Sequence, residues 1–373
     1  MAASKVMMNW PVASWLVMAM AVIVVAAEPE TVNDTNETAE IEQVLTPEQL
    51  ATAHFQLGVR MLDERKYLSA ADAFERATQV APKFFEAHMN WGIALMRLGE
   101  EAALPVLRAQ RFREAHERFE TAEKLNNRHR QLYRFWSETL MLWGDALTEP
   151  IAKLERYAAA LEKSRRMTEL DERDWEGYNR MGTIMTTRLA PYAADDTTRR
   201  QLCLEAARLF EQAAQHTRFR SDSAGVYANW GAALTEAARV AQNLQEKRSL
   251  LEAANQRFEQ SARYVAAVPS THAMWGTALV ELARLSGLRK DLRMAAERLR
   301  TALQGDPNNP AILYNLACAY ALAGDDLLAV RTLQACLRVD ASGQFRQRAR
   351  EDEDFKTLRD HPELRDVFGP VGW

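Results

Sequence analysis

The sequence predicts an all-α protein, a solenoid of stacked helix pairs, and three observations carry that expectation. A Trp-Gly pair followed by small and aliphatic residues recurs at Trp91-Gly92-Ile93-Ala94-Leu95, Trp143-Gly144, Trp230-Gly231 and Trp275-Gly276, with a weaker copy at Met181-Gly182. Each copy is followed by a segment in which small and aromatic residues keep fixed steps, most clearly Ala70, Phe74 and Ala77 ahead of Pro82. The composition, with 15 Gly and 12 Pro in 373 residues and abundant Ala, Leu, Glu and Arg, offers no convincing strand. Self-similarity at steps of tens of residues marks a repeat array.

The pattern has a physical reason. A Gly inside a helix costs about 1 kcal/mol relative to Ala, so its recurrence implies a neighbouring helix too close to admit a side chain. The Trp beside it fills the adjacent gap. Ala70, Phe74 and Ala77 stand at i, i+4 and i+7, one stripe of a second helix. On these residues the sequence resembles the tetratricopeptide-repeat family, whose 34-residue unit is a pair of helices, A and B. Residues 51–84 follow that unit through Leu57, Gly58, Ala70, Phe74, Ala77 and Pro82, and residues 310–343 through Leu316, Ala317, Tyr320, Ala329 and Leu333. The resemblance implies a right-handed superhelical solenoid of about seven tetratricopeptide-like helix pairs over residues 46–343, with a C-terminal cap over 344–373.

In chain order, residues 1–27 hold Lys5 and then an uncharged apolar run over 11–27 ending Val25-Ala26-Ala27 before Glu28. This is the layout of a signal peptide cleaved after Ala27, or of an uncleaved membrane anchor, and either places the rest of the chain outside the cytoplasm. Residues 28–45, acidic and Thr-rich, read as a disordered tether. Thr46-Pro47-Glu48-Gln49 then opens the array with a capping hydroxyl, Pro at the first helical position and a carboxylate in the first turn. The anchors that follow are Gly58, Gly92, Gly144, Gly182, Gly231, Gly276 and Ala317, at spacings of 34, 52, 38, 49, 45 and 41.

The central repeats are longer than 34, and the extra residues fall between the A-helix Gly and helix B. Phe119 follows Gly92 by 27 positions, against 16 from Gly58 to Phe74. Residues 236–246 carry no breaker, so helix A is expected to run on there, whereas Ala190-Pro191 through Asp196 should make a loop. The insertions should form a ridge along one edge. Residues 344–368, with Phe355, Leu358, Leu364, Val367 and Phe368, should close the array, and Cys318-Ala319-Tyr320-Ala321 through Asp354-Phe355 and Leu358-Arg359-Asp360 resembles the end-of-group form of the repeat.

Chemistry is hard to find. The net charge of −4 lacks the footprint of a nucleic-acid binder. Seven His and three Cys show no metal spacing, and no phosphate loop or nucleophile motif is present, so neither an enzyme nor a cofactor is expected. Cys203, Cys318 and Cys336 read as core filler, although Cys318 and Cys336 share one hairpin and a bridge between them is conceivable in an oxidising compartment.

What remains is binding. The resemblance implies that the groove is lined by fixed helix A positions, here Phe55, Val59, Leu62, Met89, Ile93 and Met96, an apolar wall suited to an apolar-anchored peptide or helix. Glu138, Met141, Asp145, Thr148, Asn179, Thr183 and Thr186 would continue it as a polar, acidic wall. Phe55 and Val59 stand where co-chaperone repeats carry the Lys and Asn that clamp a terminal carboxylate, so that activity is excluded. The expected function is a non-catalytic scaffold for other proteins, exported or tethered to a membrane through residues 11–27. Two alternatives stand beside it: a module whose lengthened hairpins bind an envelope polymer or lipid, and a self-associating homo-oligomer.

Overall fold

The computed structural model describes residues 45–266 and 268–368. The leader over 1–27 lies outside the described residues, as does the tether up to residue 44. Seven consecutive helix pairs fill the described chain: α1 (Pro47–Asp63) with α2 (Tyr67–Val80), α3 (Phe85–Glu101) with α4 (Pro105–Leu125), α5 (Arg130–Ala146) with α6 (Pro150–Leu170), α7 (Trp175–Ile184) with α8 (Asp196–His216), α9 (Arg220–Arg239) with α10 (Leu244–Tyr264), α11 (Pro269–Ser286) with α12 (Arg289–Gly305), and α13 (Pro310–Ala323) with α14 (Asp326–Val339). No strand occurs among the described residues. The chain divides into a first unit ending at Asn127, with two pairs, and a second beginning at Arg128, with five pairs and the closing segment.

Helix starts follow from local chemistry. Thr46 Oγ1, the capping hydroxyl expected from the sequence, accepts from Gln49 N at 3.2 Å, and Gln49 Oε1 in turn accepts from Thr46 N at 2.9 Å, which makes the cap reciprocal. Asp174, Asp195, Asn243 and Asn309 cap α7, α8, α10 and α13 in the same sense. Gly324 ends α13 at φ 80°, a left-handed conformation that favours Gly.

In five of the seven pairs an A-helix glycine receives a B-helix side chain. A Cβ on Gly58 would meet Phe74 at 2.6 Å, on Gly92 Phe119 at 2.7 Å, on Gly182 Phe210 at 2.8 Å, on Gly231 Phe258 at 2.9 Å, and on Gly276 Leu299 at 2.5 Å. In the third pair the slot is not Gly144. Ser137 fills it, giving its hydroxyl to Ala160 O at 2.9 Å and lying 2.7 Å from Ser164 Oγ. The bulky ring is gone from helix B, so a Ser fits in helix A. With Ser137 in place the spacings become 34, 45, 45, 49, 45 and 41, and the irregular third repeat disappears.

Gly144 belongs to a second layer. The added residues lengthen helix B from 14 residues in α2 and α14 to 21 in α4, α6, α8 and α10. One heptad beyond the main slot the code repeats: Gly99 faces Phe112 at 2.6 Å, and Gly144 packs on Tyr157. The expectation that helix A runs through 236–246 is corrected. α9 ends at Arg239, and α10 begins at Leu244 because Asn243 accepts from Glu246 N at 2.9 Å, a cap that competes with continued helix. The break over 190–196 is present, as a π-type turn over Met185–Leu189, a short turn at Ala190–Tyr192 and a restart at Asp196.

The closing segment packs as a cap on the last hairpin. α15 (Gln344–Glu351), two short turns and α16 (Arg365–Phe368) bury Phe345, Ala349, Phe355, Leu358, Leu364 and Val367, each large apolar side chain contributing about 1.5–3 kcal/mol. Two polar ties hold it: Tyr314 donates to Asp352 Oδ2 at 2.7 Å, and Arg284 Nη2 to Asp354 Oδ2 at 2.5 Å. All three cysteines are buried free thiols, so no bridge joins Cys318 to Cys336. Cys336 donates to Pro310 O at 3.2 Å.

Candidate functional site

Beside four of the slots stands a Trp held from the opposite helix by a cation. Arg118 lies 4.4 Å over Trp91, Lys163 3.5 Å over Trp136, Arg257 3.8 Å over Trp230 and Arg298 4.2 Å over Trp275. Each cation directly precedes the residue that fills the slot, and each contact adds about 0.5–2 kcal/mol. In the fourth hairpin Met181 replaces the Trp and Leu209 replaces the cation, so the two change together. Four residues before the slot, His88 Nε2 donates to Pro82 O at 2.9 Å and His272 Nε2 to Ala266 O at 2.7 Å. These side chains are structural.

A small slot plugged from the partner helix, at the same register in six consecutive hairpins, decides the architecture. The chain carries tetratricopeptide-type repeats. No protein-family profile matches the sequence, and no curated protein matches it. Among solved structures the chain is similar to YrrB, described as a TPR protein with an unusual peptide-binding site (15% identity, TM-score 0.42, 64% of this chain and 100% of that one). It is also similar to the C-terminal part of a TPR repeat-containing protein of Cytophaga hutchinsonii (12%, TM-score 0.49, 78% and 96%) and to pilF of Pseudomonas aeruginosa (16%, TM-score 0.37, 82% and 99%). At these identities the likeness is one of fold, and the repeat assignment rests on the packing itself.

Numbered from the slot, the tetratricopeptide A helices sort by exposure. The position four after it is buried in four of the five internal repeats, Met96 being 0% exposed, Thr186 7%, Thr235 5% and Val280 2%, whereas Met141 of the third is half-buried. Met96 therefore packs inside the protein, its flexible thioether filling space, and Ile93 at 7% is also buried. Phe55, Val59, Leu62 and Met89 keep partial exposure. Phe55 leans on Phe74 and Phe84, ring centroids 5.7 and 5.0 Å away. Of the six expected groove residues, four present surface in the first unit.

The wall expected to be acidic is neutralised from within. Glu176 is bound by Arg134 and by Arg130 at 3.0 Å, and Arg180 lies 3.3 Å from it and 3.9 Å from Glu138. Burial alone would raise the Glu176 carboxyl, but the Arg134 hydrogen bond and the three guanidinium charges outweigh it and hold it below the usual range. Asp145 accepts from Arg188 at 2.9 Å and from Tyr157 OH at 2.8 Å. These carboxylates stiffen the repeat stack.

The open concavity of the second unit lies further along. A trough of about 650 Å³ is lined by α9, α11 and α13, with Ala232, Ala273, Met274 and Ile312 on its apolar side. It adjoins a polar hollow of about 310 Å³ that shares Arg239, Thr277 and Asn315 with it and adds Glu281, Arg284 and Arg348. Asn315 donates to Thr277 Oγ1 at 2.9 Å. Arg239 is spent on Glu236 and on Glu281 at 2.9 Å, and Arg284 on Asp354. Arg348, exposed and 4.8 Å over Tyr314, has no acidic partner among the described residues. Sequence reasoning missed this trough, although Ala232, Ala273 and Thr277 occupy the register positions it had used for the first repeats.

One group of metal-type ligands occurs among the described residues, Cys318, Asp352 and Asp354, with atoms within 4.8 Å of one another. Its carboxylates are committed to Tyr314 and Arg284, and burial pushes the Cys318 thiol well up, keeping it protonated. That chemistry is a cap lock and does not fit a cation. No described helix is long and apolar enough to cross a membrane.

Proposed function

We propose that the protein is a non-catalytic scaffold that holds a partner protein by a peptide segment laid along the α9, α11 and α13 trough. The observation that carries this is the trough's two-part chemistry: apolar Ala232, Ala273 and Met274 beside the Asn315 amide and the unpaired Arg348. A segment with an apolar side chain followed by an acidic one complements it, the amide and guanidinium groups taking main-chain carbonyls and a carboxylate. The apolar run over 11–27 supports an exported or outward-facing, membrane-tethered protein.

Selection from a random displayed peptide library on the immobilised full chain tests the reading. Peptides pairing an apolar with an acidic residue should be enriched, and Ala273→Glu with Met274→Glu should abolish their binding while leaving the melting curve unchanged. Enrichment that survives these substitutions but is lost on Phe55→Glu with Met89→Glu would move the site to the first unit. Enrichment indifferent to both pairs would end the scaffold reading.

A further inference from the structure

The exposed large apolar side chains of the second unit concentrate at the turns joining helix A to helix B. Ile151 is 76% exposed, Leu244 72%, Leu327 56%, Leu288 47%, Leu328 45% and Tyr192 39%. The opposite turns hold Phe219, Val265 and Tyr264, the last stacked on Tyr227 at 5.7 Å. Every lengthened hairpin of this unit thus ends in an aliphatic or aromatic residue facing water. A lone exposed Leu needs no account, but recurrence at one structural position does.

The tips of the fifth and sixth hairpins are neighbours, because Arg248 at the start of α10 donates to Leu285 O at the end of α11, 3.0 Å away. Around Leu244 and Leu288 stand Arg248, Arg289, Lys290 and Arg293, all exposed. Of the acids nearby, Glu246 is committed to Arg200 at 2.5 Å, Glu281 to Arg239 at 2.9 Å, and buried Asp291 accepts from Ser286 at 2.9 Å, while exposed Glu252 follows Arg248 by one helical turn. Arg289, Lys290 and Arg293 have no ion-pair partner among the described residues. At the start of α12, Leu288 occupies the capping position with no side-chain hydrogen bond, where Ser, Asp or Asn would satisfy a first-turn N–H in water.

We propose that the paired tips of the fifth and sixth hairpins seat on an anionic lipid bilayer, Leu244 and Leu288 entering the acyl boundary while Arg289, Lys290 and Arg293 face the headgroup phosphates. Aliphatic residues flanked by unpaired cations at one projecting edge are what an interfacial site requires, each cation strengthening attachment to an anionic leaflet. The site is separate from the peptide trough and does not depend on it.

The test places an environment-sensitive fluorophore on Leu288→Cys in the full chain. The three native thiols are each 0% exposed and escape labelling. Phosphatidylglycerol vesicles should shift the emission towards that of an apolar medium, whereas phosphatidylcholine vesicles should not. Adding Arg289→Ser, Lys290→Ser and Arg293→Ser should weaken the titration by at least about tenfold. A control probe at Glu211→Cys, on the exposed face of α8, should stay unmoved even if residues 11–27 themselves hold the chain to the vesicle. No shift at position 288, an equal shift with phosphatidylcholine, an equal shift at position 211, or indifference to the charge removal would each overturn the proposal.

Discussion

A Cβ on Gly92 would lie 2.7 Å from Phe119, whereas one on Gly225, also inside an A helix, would have nothing within 4 Å. The same substitution should therefore have opposite signs. Gly92→Ala should cost about 1–3 kcal/mol by overpacking, and Gly225→Ala should gain up to about 1 kcal/mol of helix propensity, both read by urea unfolding; equal effects would contradict the packing account. His88 gives a pH prediction. Its Nε2 donates to Pro82 O while Nδ1 is buried without a partner, and burial, with Arg118 nearby, holds the ring below its ordinary 6.5 despite the bond to Pro82. Because the unfolded chain then binds the proton more readily, the neutral ring's contribution is complete above 6.5 and is lost as pH falls through the folded value. The thermal midpoint should fall between about pH 7 and pH 5, and His88→Gln, which keeps an N–H donor, should flatten that fall. An unchanged pH slope in the variant would refute the role given to His88.

At the scale of the helix pair, the added turns carry their own copy of the packing code one heptad from the main slot. This explains what the sequence could and could not reveal. Six of the seven anchors were legible because a mid-helix Gly beside a large residue has few other uses. The third was not, because Trp143-Gly144 reads as the main motif while the true slot, Ser137, is recognisable only once helix B is known to offer Ser164 in place of a ring. The end of α9 was missed for a related reason: Asn243 interrupts nothing as a residue type, and its effect comes from capping α10. Asn243→Ala should cost about 1 kcal/mol by thermal or urea unfolding. Asp354→Ala, which removes the cap's ion pair to Arg284, should cost about 1.5–3 kcal/mol and speed hydrogen exchange in α15 before α9. A cap as protected as in the parent chain would show that the tie is dispensable.

At the scale of the whole molecule, composition and repeats sufficed for an all-α array of helix pairs, but the docking surface was only half legible. Register identifies which side of an A helix a residue occupies; it does not say whether the next hairpin covers it. Met96 and Met274 are both methionines near a slot, yet Met96 is wholly buried and Met274 lines the trough. The acidic wall failed similarly, since Arg180 of α7 and Arg188 in the turn after it neutralise Glu138 and Asp145 of α5. The scaffold account therefore stands or falls on where a partner sits. The direct measurement is hydrogen–deuterium exchange of the full chain with and without a selected peptide. The account predicts slowed exchange in α9, α11 and α13, around Ala232, Thr277 and Asn315, with α2 and α4 unchanged. Protection confined to the first unit or to the hairpin tips, with the trough unaffected, would contradict it.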